Sequence, residues 1–278
     1  MKYIYMRFPE FRLKALTLSY DDGIKHDKRL IEILDKYGIK ATFNINSGNL
    51  GTTPEYLTKE EAIELYTNSG HEVAVHGKRH LHLTEEANAV VLDEIINDRI
   101  AIEEMFGTIT TGMAYAGGFY DDRVVELLKD CGIDYARTVV STERFDIPDD
   151  WLRLPATCHH NNPRLMELAR EFVESEPDKR FWHRPPKLFY LWGHSYEFNS
   201  DNNWEVIERF CEYMGNRGDI WYATNIEIFK YVKAFKSLVF FADGSGVCNP
   251  SGQDLYICYR GVDYVIPSGQ TIRFLKNN

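Results

Sequence analysis

The 278-residue sequence lacks several features that would assign it to a special class of protein. It has no apolar run of the 18 or more residues that mark a membrane-spanning helix, and its first ten residues lack the apolar core of a secretory signal. It contains no internal repeat and no low-complexity segment. We therefore expect a folded protein with no membrane partner, located in the cytoplasm.

Positive charge and paired cysteines are also scarce. The chain has 32 Lys and Arg residues against 42 Asp and Glu residues, a formal net charge of -10. Because nucleic acid is held largely by basic side chains, we expect no nucleic-acid partner. The five cysteines are odd in number, widely spaced and free of any C-x-x-C pair. This pattern predicts reduced thiols rather than a disulfide framework or a cysteine-rich zinc site.

From residue 14 to about residue 222, short apolar runs alternate with longer amphipathic stretches, a pattern typical of βα units around a parallel sheet. The predicted strands are 15–20, 41–46, 72–76, 112–116, 135–139, 152–157, 188–192 and 220–223. The predicted helices are 27–37, 59–69, 85–105, 122–131, 164–174, 204–214 and 225–235. This periodicity does not separate a closed barrel from an open sheet, but in both the functional site lies at the carboxyl ends of the strands.

The texture of the sequence changes after residue 235. Short β-like runs follow, separated by Gly, Pro, Asn and Ser. We predict a main domain at residues 1–235 and a small β-strand appendage at residues 236–278. Because so short a segment is near the limit for independent folding, we expect it to pack on the main domain as a structural cap, with carbohydrate binding as the alternative.

Two short motifs carry the residues of a metal site. Asp21 and Asp22 follow the first predicted strand, and a cation would relieve the repulsion between neighbouring carboxylates, although Asp-Asp-Gly also forms ordinary turns. His76 ends the third predicted strand and His80 follows four residues later, a spacing that lets both rings reach one ion if the chain turns helically. One aspartate and two histidines would hold a metal by three ligands and leave an open position for water.

These motifs are similar to those of a known family. Ser19-Tyr-Asp-Asp-Gly23 resembles the pattern Thr-Phe-Asp-Asp-Gly, and His76-Gly-Lys-Arg-His80 resembles His-Ser/Thr-x-x-His with glycine in place of the hydroxyl residue. Over about residues 14 to 230 the sequence resembles the polysaccharide deacetylases, the NodB-type enzymes of carbohydrate esterase family 4. The resemblance implies an α/β fold, a distorted (β/α) barrel of about seven strands, here with the small C-terminal β appendage.

The resemblance also implies roles for individual residues. Asp21 would be the general base, and Asp22, His76 and His80 would hold one divalent metal ion. His194, in a late Leu-x-x-His motif, would be the general acid. A site of two histidines and one aspartate suits zinc, which we expect, and also accepts iron, cobalt, nickel or manganese.

The third motif of the family, Arg-x-Pro-x-Gly, is altered here. Ala114 stands in place of its arginine and Ala116 in place of its proline. Because that arginine braces the catalytic base in the family, Arg137 at the end of the neighbouring strand is our candidate replacement, with a surface salt bridge as the alternative. The expected substrate-binding or supporting residues are Gly117, Gly118, Tyr120, Arg137 and Trp192, the two glycines through backbone N–H groups that would stabilise an oxyanion.

These residues predict a metal-dependent carbohydrate deacetylase, a hydrolase of non-peptide carbon–nitrogen bonds or of carboxylic esters. We expect an N-acetyl hexosamine as its substrate first and an O-acetyl sugar next. One alternative is a metal-dependent hydrolase of a non-sugar amide or cyclic ureide. Another, motivated by Ala114 and Ala116, is a sugar-binding protein without catalysis. The sequence leaves the oligomeric state open.

Overall fold

The computed structural model describes residues 4–175 and 185–274. Its strands are β1 (Ile4–Arg7), β2 (Lys14–Asp22), β3 (Ala41–Ile45), β4 (Glu72–Val75), β5 (Gly112–Ala114), β6 (Tyr135–Ser141), β7 (Leu154–Ala156), β8 (Cys158–His159), β9 (Lys187–Gly193), β10 (Ile220–Tyr222), β11 (Val239–Phe240), β12 (Gly246–Cys248), β13 (Leu255–Tyr259), β14 (Val262–Ile266) and β15 (Thr271–Arg273). Its helices are α1 (Asp27–Lys36), α2 (Lys59–Tyr66), α3 (Asn88–Phe106), α4 (Asp122–Asp130), α5 (Leu165–Glu174), α6 (Ser195–Ser200), α7 (Glu205–Met214) and α8 (Asn225–Lys236).

Nine strands form one parallel sheet in the order β7-β6-β5-β4-β3-β2-β9-β8, with β10 also paired to β2. Each of the eight predicted strands is present, and the predicted helices correspond to all of those observed except the short α6. The strand β2 runs two residues further than predicted, because Asp21 and Asp22 pair in register with Asn44 and Ile45 of β3. The two acids are therefore part of the sheet and not of a loose turn.

The sheet curls so that its two ends meet. The strands β7 and β8 occupy opposite ends of the strand order, yet only Thr157 separates them along the chain. The Thr157 N–H donates to the Tyr190 carbonyl of β9 at 2.8 Å, and the Tyr190 N–H donates to Thr157 Oγ1 at 3.0 Å. This closure confirms the distorted (β/α) barrel that the resemblance implied.

Helices cover the outside of the barrel and leave its strands buried. The strand β3 is buried along its whole length, and eight of the nine residues of β2 are buried. The helix α4 shows how a helix joins this core, because it packs Val124, Val125 and Leu128 inward. With both faces of the strands covered, the carboxyl ends of β2, β4 and β9 open at one end of the barrel.

Two small antiparallel sheets, β1-β13-β14 and β11-β12-β15, accompany the barrel. The sequence did not predict β1, which pairs with β13 from the far end of the chain. Tyr231 of α8 joins both parts, since its hydroxyl donates to the Arg7 carbonyl at 2.7 Å and accepts from the Tyr256 N–H at 3.0 Å. The division of the chain at residue 235 stays a prediction.

Two further expectations concern the whole chain. All five cysteines carry free thiols, as predicted, and four of them are buried. Among the helices of the described residues, none combines the length and the apolar character that a membrane span requires. The cytoplasmic location stays a prediction.

Candidate metal centre and active site

The three predicted metal ligands converge at the carboxyl ends of the strands. Asp22 is the last residue of β2, and His76 directly follows β4. The Nε2 atoms of His76 and His80 lie 3.6 Å and 3.7 Å from Asp22 Oδ1, and the donor atoms of the three residues lie within 4.8 Å of one another. These separations are long for hydrogen bonds, but they match neighbouring ligands of one ion at bond lengths of about 2.0–2.2 Å.

The burial and the protonation of the His76 ring also fit a metal ligand. This residue is 1% exposed, and within the described part of the chain its Nε2 atom has no hydrogen-bond partner. Its Nδ1 atom lies 2.9 Å from the Ala114 carbonyl oxygen, an acceptor that takes the Nδ1 proton and leaves the Nε2 lone pair free. Burial lowers the pKa of His76 more than Asp21 and Asp22 raise it, which favours the neutral ring that a metal requires.

Asp21 lies beside this group and is 3% exposed. Its Oδ1 atom accepts from Asn44 Nδ2 at 2.9 Å, and its Oδ2 atom accepts from Arg137 Nη2. The Nε2 atoms of His76 and His194 both lie 3.9 Å from Asp21 Oδ2. Burial raises the pKa of Asp21, but Arg137 and the two histidines outweigh it and lower the pKa to about 2. The carboxylate is therefore ionised at neutral pH.

Arg137 contacts Asp21 from inside the barrel. Its side chain is completely buried, which rules out the alternative of a surface salt bridge. The guanidinium carbon lies 4.5 Å from the ring centre of Trp192, a cation–π contact. Trp192 itself is 8% exposed, so it lies beneath Arg137 and offers little of its face to a ligand.

His194 lies between Asp21 and a second carboxylate, Glu197. Its Nδ1 atom is 3.5 Å from Glu197 Oε2, and the same oxygen lies 3.2 Å from His159 Nε2 and 2.9 Å from His160 Nε2. Burial raises the pKa of Glu197, but the three imidazoles outweigh it and hold that pKa far below its usual range. Burial lowers the pKa of His194, but Glu197 and Asp21 outweigh it and raise that pKa.

A second set of donor atoms, from His159, His194 and Glu197, also lies within 4.8 Å. The Asn161 N–H donates to His159 Nδ1 at 3.1 Å, so in the neutral ring the proton is on Nε2, facing Glu197. A protonated nitrogen cannot bind a metal, and we therefore interpret this set as a proton-bearing cluster around Glu197. The three ligands at Asp22 remain the candidate metal centre.

The remaining predicted residues lie on the segment after β5. The Gly118 N–H donates to the Tyr115 carbonyl at 3.0 Å, which leaves the Gly117 N–H as the better candidate for an oxyanion. Tyr120 is half-buried, and its ring stacks on Tyr115 with a centroid distance of 5.0 Å. In the described part of the chain, no hydrogen bond or ring contact joins these two glycines or Tyr120 to the metal ligands.

Sequence reasoning missed several residues that shape the site. Asn44 contacts Asp21, and Asn46 Nδ2 donates to the carbonyls of His76 and Gly77 at 2.8 Å and 2.7 Å. Both belong to the run Ala41-Thr-Phe-Asn-Ile-Asn46, in which every second residue is polar and all are buried. In the sequence, this alternation indicates a strand whose polar side chains point into a barrel. Glu197, one helical turn after His194, was also overlooked.

Comparison with known proteins gives the same picture as the geometry. Residues 10–136 match the model of the polysaccharide deacetylase family. A "Probable peptidoglycan-N-acetylglucosamine deacetylase" of Arthroderma benhamiae is 28% identical over 99 residues, which are 35% of this chain and 21% of that protein. This chain therefore aligns with about a fifth of the length of that curated relative.

Solved structures share the fold at low sequence identity. A "putative polysaccharide deacetylase" from Mycobacterium smegmatis superimposes with a TM-score of 0.62 at 17% identity, covering 84% of this chain and 94% of the other. The family 4 carbohydrate esterase domain of a multidomain xylanase from the hindgut metagenome of Trinervitermes trinervoides gives 0.54 at 16% identity, covering 80% and 92%. Residues 10–136 are therefore similar to the polysaccharide deacetylase family, and the barrel has the fold of these solved structures.

Proposed function

We propose that this protein is a metal-dependent hydrolase that removes acetyl groups from N- or O-acetylated carbohydrate, with an N-acetyl hexosamine as the first expected substrate. One observation carries the proposal. Two histidine nitrogens face one oxygen of Asp22 at 3.6 Å and 3.7 Å, while Asp21 and His194 approach each other to 3.9 Å beside them. These distances support a metal site, a base and an acid at the same end of the barrel.

A divalent ion held by Asp22, His76 and His80 would act as a Lewis acid on the acetyl carbonyl and on the attacking water. The chain's own residues then have distinct tasks. Asp21 takes a proton from the attacking water, with its two oxygens fixed by Arg137 and Asn44.

The leaving group receives its proton from His194. Its Nε2 side faces Asp21, and its Nδ1 side faces Glu197, an arrangement that supports a protonated ring able to donate from Nε2. The Gly117 N–H is our candidate for stabilising the negative charge that develops on the carbonyl oxygen. Acetate and the free amine or alcohol are the products.

A carbohydrate substrate is supported by the relative and by the rim of the site. The Arthroderma relative is named for action on peptidoglycan N-acetylglucosamine. In this chain, Tyr196 is 39% exposed, and its ring centre lies 5.1 Å from that of His194. An exposed aromatic ring next to the acid is suited to stacking on a sugar face.

The proposal is tested by measuring acetate release after the metal has been stripped by a chelator and restored. We expect acetate from N-acetylglucosamine oligomers or acetylated xylan only after addition of Zn²⁺, Co²⁺ or Mn²⁺. The variants Asp21→Asn and His194→Ala should lose about 10²- to 10⁴-fold in kcat while still binding metal. His80→Ala should lose the metal itself, whereas His82→Ala, which removes a ring stacked on Phe119, is the control.

Other results would replace the proposal. Hydrolysis of a non-sugar amide or a cyclic ureide, with no acetate from any sugar, would identify the alternative hydrolase. Glycan binding by metal-loaded protein without turnover of any substrate would identify a binding protein. Full activity of the chelated protein would contradict the role given to the metal.

A further inference from the structure

The helix α3 presents two buried carboxylates to the loop that carries His76 and His80. Glu94 and Asp98 are four residues apart, so they lie on one face of the helix, and both are completely buried. Buried carboxylates are costly unless hydrogen bonds satisfy them. The groups that donate hydrogen bonds to these two carboxylates belong to the loop that carries His76 and His80 or to the segment beside it. The proposed hydrolysis does not itself use these hydrogen bonds.

Glu94 holds the loop on both sides of His80. Its Oε1 atom accepts from the Arg79 N–H at 2.5 Å and from the Leu81 N–H at 3.4 Å. Its Oε2 atom accepts from Arg79 Nε at 2.9 Å. The residue between these two backbone donors is His80, whose φ of 61° belongs to the left-handed region. The carboxylate thereby fixes a backbone conformation that a histidine seldom adopts on its own.

Gly77 makes room for this carboxylate. A Cβ atom at Gly77 would lie 3.3 Å from Glu94 Oε1 and 3.4 Å from Glu94 Cγ, closer than side chains usually pack. In the motif that this segment resembles, the same position carries serine or threonine, whose hydroxyl is missing here. The Glu94 carboxylate therefore reaches the space beside position 77, and it does so from a helix that the motif does not include.

Asp98 fixes the backbone at His76, as Glu94 fixes the backbone around His80. Its Oδ2 atom accepts from the His76 N–H at 3.1 Å, and its Oδ1 atom accepts from the Ser47 N–H at 2.8 Å. Asn46 completes this support through the carbonyls of His76 and Gly77. The His76 N–H and the two backbone N–H groups that flank His80 are thus bonded to buried acids of the same helix.

We propose that Glu94 is a positioning residue for the metal, which compensates for the glycine at position 77 by holding the backbone of residues 79–81 so that His80 faces Asp22, with Asp98 supporting His76. The inference rests on the proposed function, because it assumes that Asp22, His76 and His80 bind the ion. Glu94 is not one of the three candidate ligands. It acts by removing alternative positions of His80.

The test compares two glutamates of the intact chain, each of which accepts three hydrogen bonds. Glu94→Gln keeps the volume but replaces one acceptor oxygen by a donor, which cannot serve the donors of the loop. Glu72→Gln is the matched control, since Glu72 also accepts three hydrogen bonds, from Thr42, Tyr135 and Ile226, but none from the metal loop. The probe is Co²⁺, titrated into the chelator-treated protein and followed by its visible absorption, with the thermal midpoint of the metal-free protein measured in parallel.

We expect Glu94→Gln to raise the Co²⁺ dissociation constant by about 10-fold or more and to alter the absorption spectrum, while Glu72→Gln changes only the thermal midpoint. Unchanged Co²⁺ affinity in Glu94→Gln would overturn the proposal. Equal loss of affinity in both variants would also overturn it, because general destabilisation would then be the cause. If the wild-type chain bound no Co²⁺, or if His80→Ala bound it normally, the proposed metal site itself would fall.

Discussion

At the scale of single residues, the site depends on buried charges that neutralise one another. The side chains of Asp21 and Arg137 are both almost fully buried, and the Asp21 carboxylate also accepts a hydrogen bond from Asn44. Removing one member of such a pair leaves the other as an unpaired buried charge, which costs far more than losing an exposed pair.

The first prediction concerns Arg137. Arg137→Met should lower the free energy of unfolding by about 3–5 kcal/mol, because Asp21 would remain buried without its partner. Arg153→Met is the control, since Arg153 pairs with Asp122 and Asp150 at the surface and should change the stability far less. Urea denaturation measures both. Equal destabilisation would show that Arg137 is an ordinary ion-pair residue.

The second prediction concerns the pH dependence of catalysis. As a general acid His194 is active when protonated, so the rate falls as the pH rises above its pKa. Glu197 raises that pKa, and Glu197→Gln removes the negative charge. The alkaline limb of the kcat profile should therefore move to lower pH, with kcat reduced. Glu205→Gln, an exposed residue of the next helix, should leave the profile in place.

The residues of this site were partly readable from the sequence. Asp21, Asp22, His76, His80 and His194 stand in short local motifs, and the structure brings them together. The contact of Arg137 with Asp21 was only a hypothesis, because their strands are separated by three others in the sheet and meet only when it curls. Glu94, Asp98 and Glu197 look in sequence like the exposed acids of ordinary helices. Nothing local reveals the burial of Glu94 and Asp98 or the contacts of Glu197 with three histidines.

At the scale of elements, strand β9 delivers His194 and packs against the cluster around Glu197. Gly193 is its last residue, and a Cβ atom there would lie 2.1 Å from His160 Nδ1. Gly112 of β5 is comparably crowded, because a Cβ atom there would lie 2.2 Å from the Tyr135 hydroxyl. Both strands need glycine for close packing and not for an unusual φ.

The third prediction uses this pair. Gly193→Ala and Gly112→Ala should each cost about 1–3 kcal/mol of stability through overpacking. Gly193→Ala should also reduce kcat, because displacement of His160 disturbs Glu197 and hence His194. Gly112→Ala should retain kcat at temperatures where it stays folded. Thermal midpoints measure the loss of stability, and steady-state kinetics measure kcat. Equal kcat values in the two variants would disprove the link through His160.

Elements with a clear pattern were predicted, and those without one were missed. The apolar strands and amphipathic helices of the barrel follow local periodicity and were found within a few residues. The helix α6 is six residues long and mostly polar, too short to show a period. The strand β1 depends on pairing with β13, a partner about 250 residues away that no local window contains.

At the scale of the whole molecule, one hydroxyl links the last barrel helix to segments from both ends of the chain. Tyr231 of α8 is buried and bonds to Arg7 in β1 and to Tyr256 in β13. The small antiparallel sheet is thereby linked to the last helix of the barrel. Closure of the barrel is also a property at this scale. The sequence periodicity did not distinguish a closed barrel from an open sheet, and only the family resemblance favoured the barrel.

The fourth prediction tests this link. Tyr231→Phe should lower the free energy of unfolding by about 1–3 kcal/mol, because a buried carbonyl and a half-buried N–H lose the hydrogen bonds to this hydroxyl while the ring stays. The hydrogen-exchange protection of the Tyr256 amide should fall at the same time. A thermal midpoint equal to that of the wild type would mean that the link contributes nothing to stability.

Two of the three candidate ligands have a backbone that disfavours their own side chains. Asp22 has a φ of 86° and His80 a φ of 61°, conformations that glycine adopts freely and that cost other residues about 1–2 kcal/mol. Asp22→Gly should therefore raise the thermal midpoint of the metal-free protein. The same substitution would remove a candidate metal ligand and, with it, activity. Selection for thermal stability alone would therefore favour a residue at position 22 that cannot bind the metal.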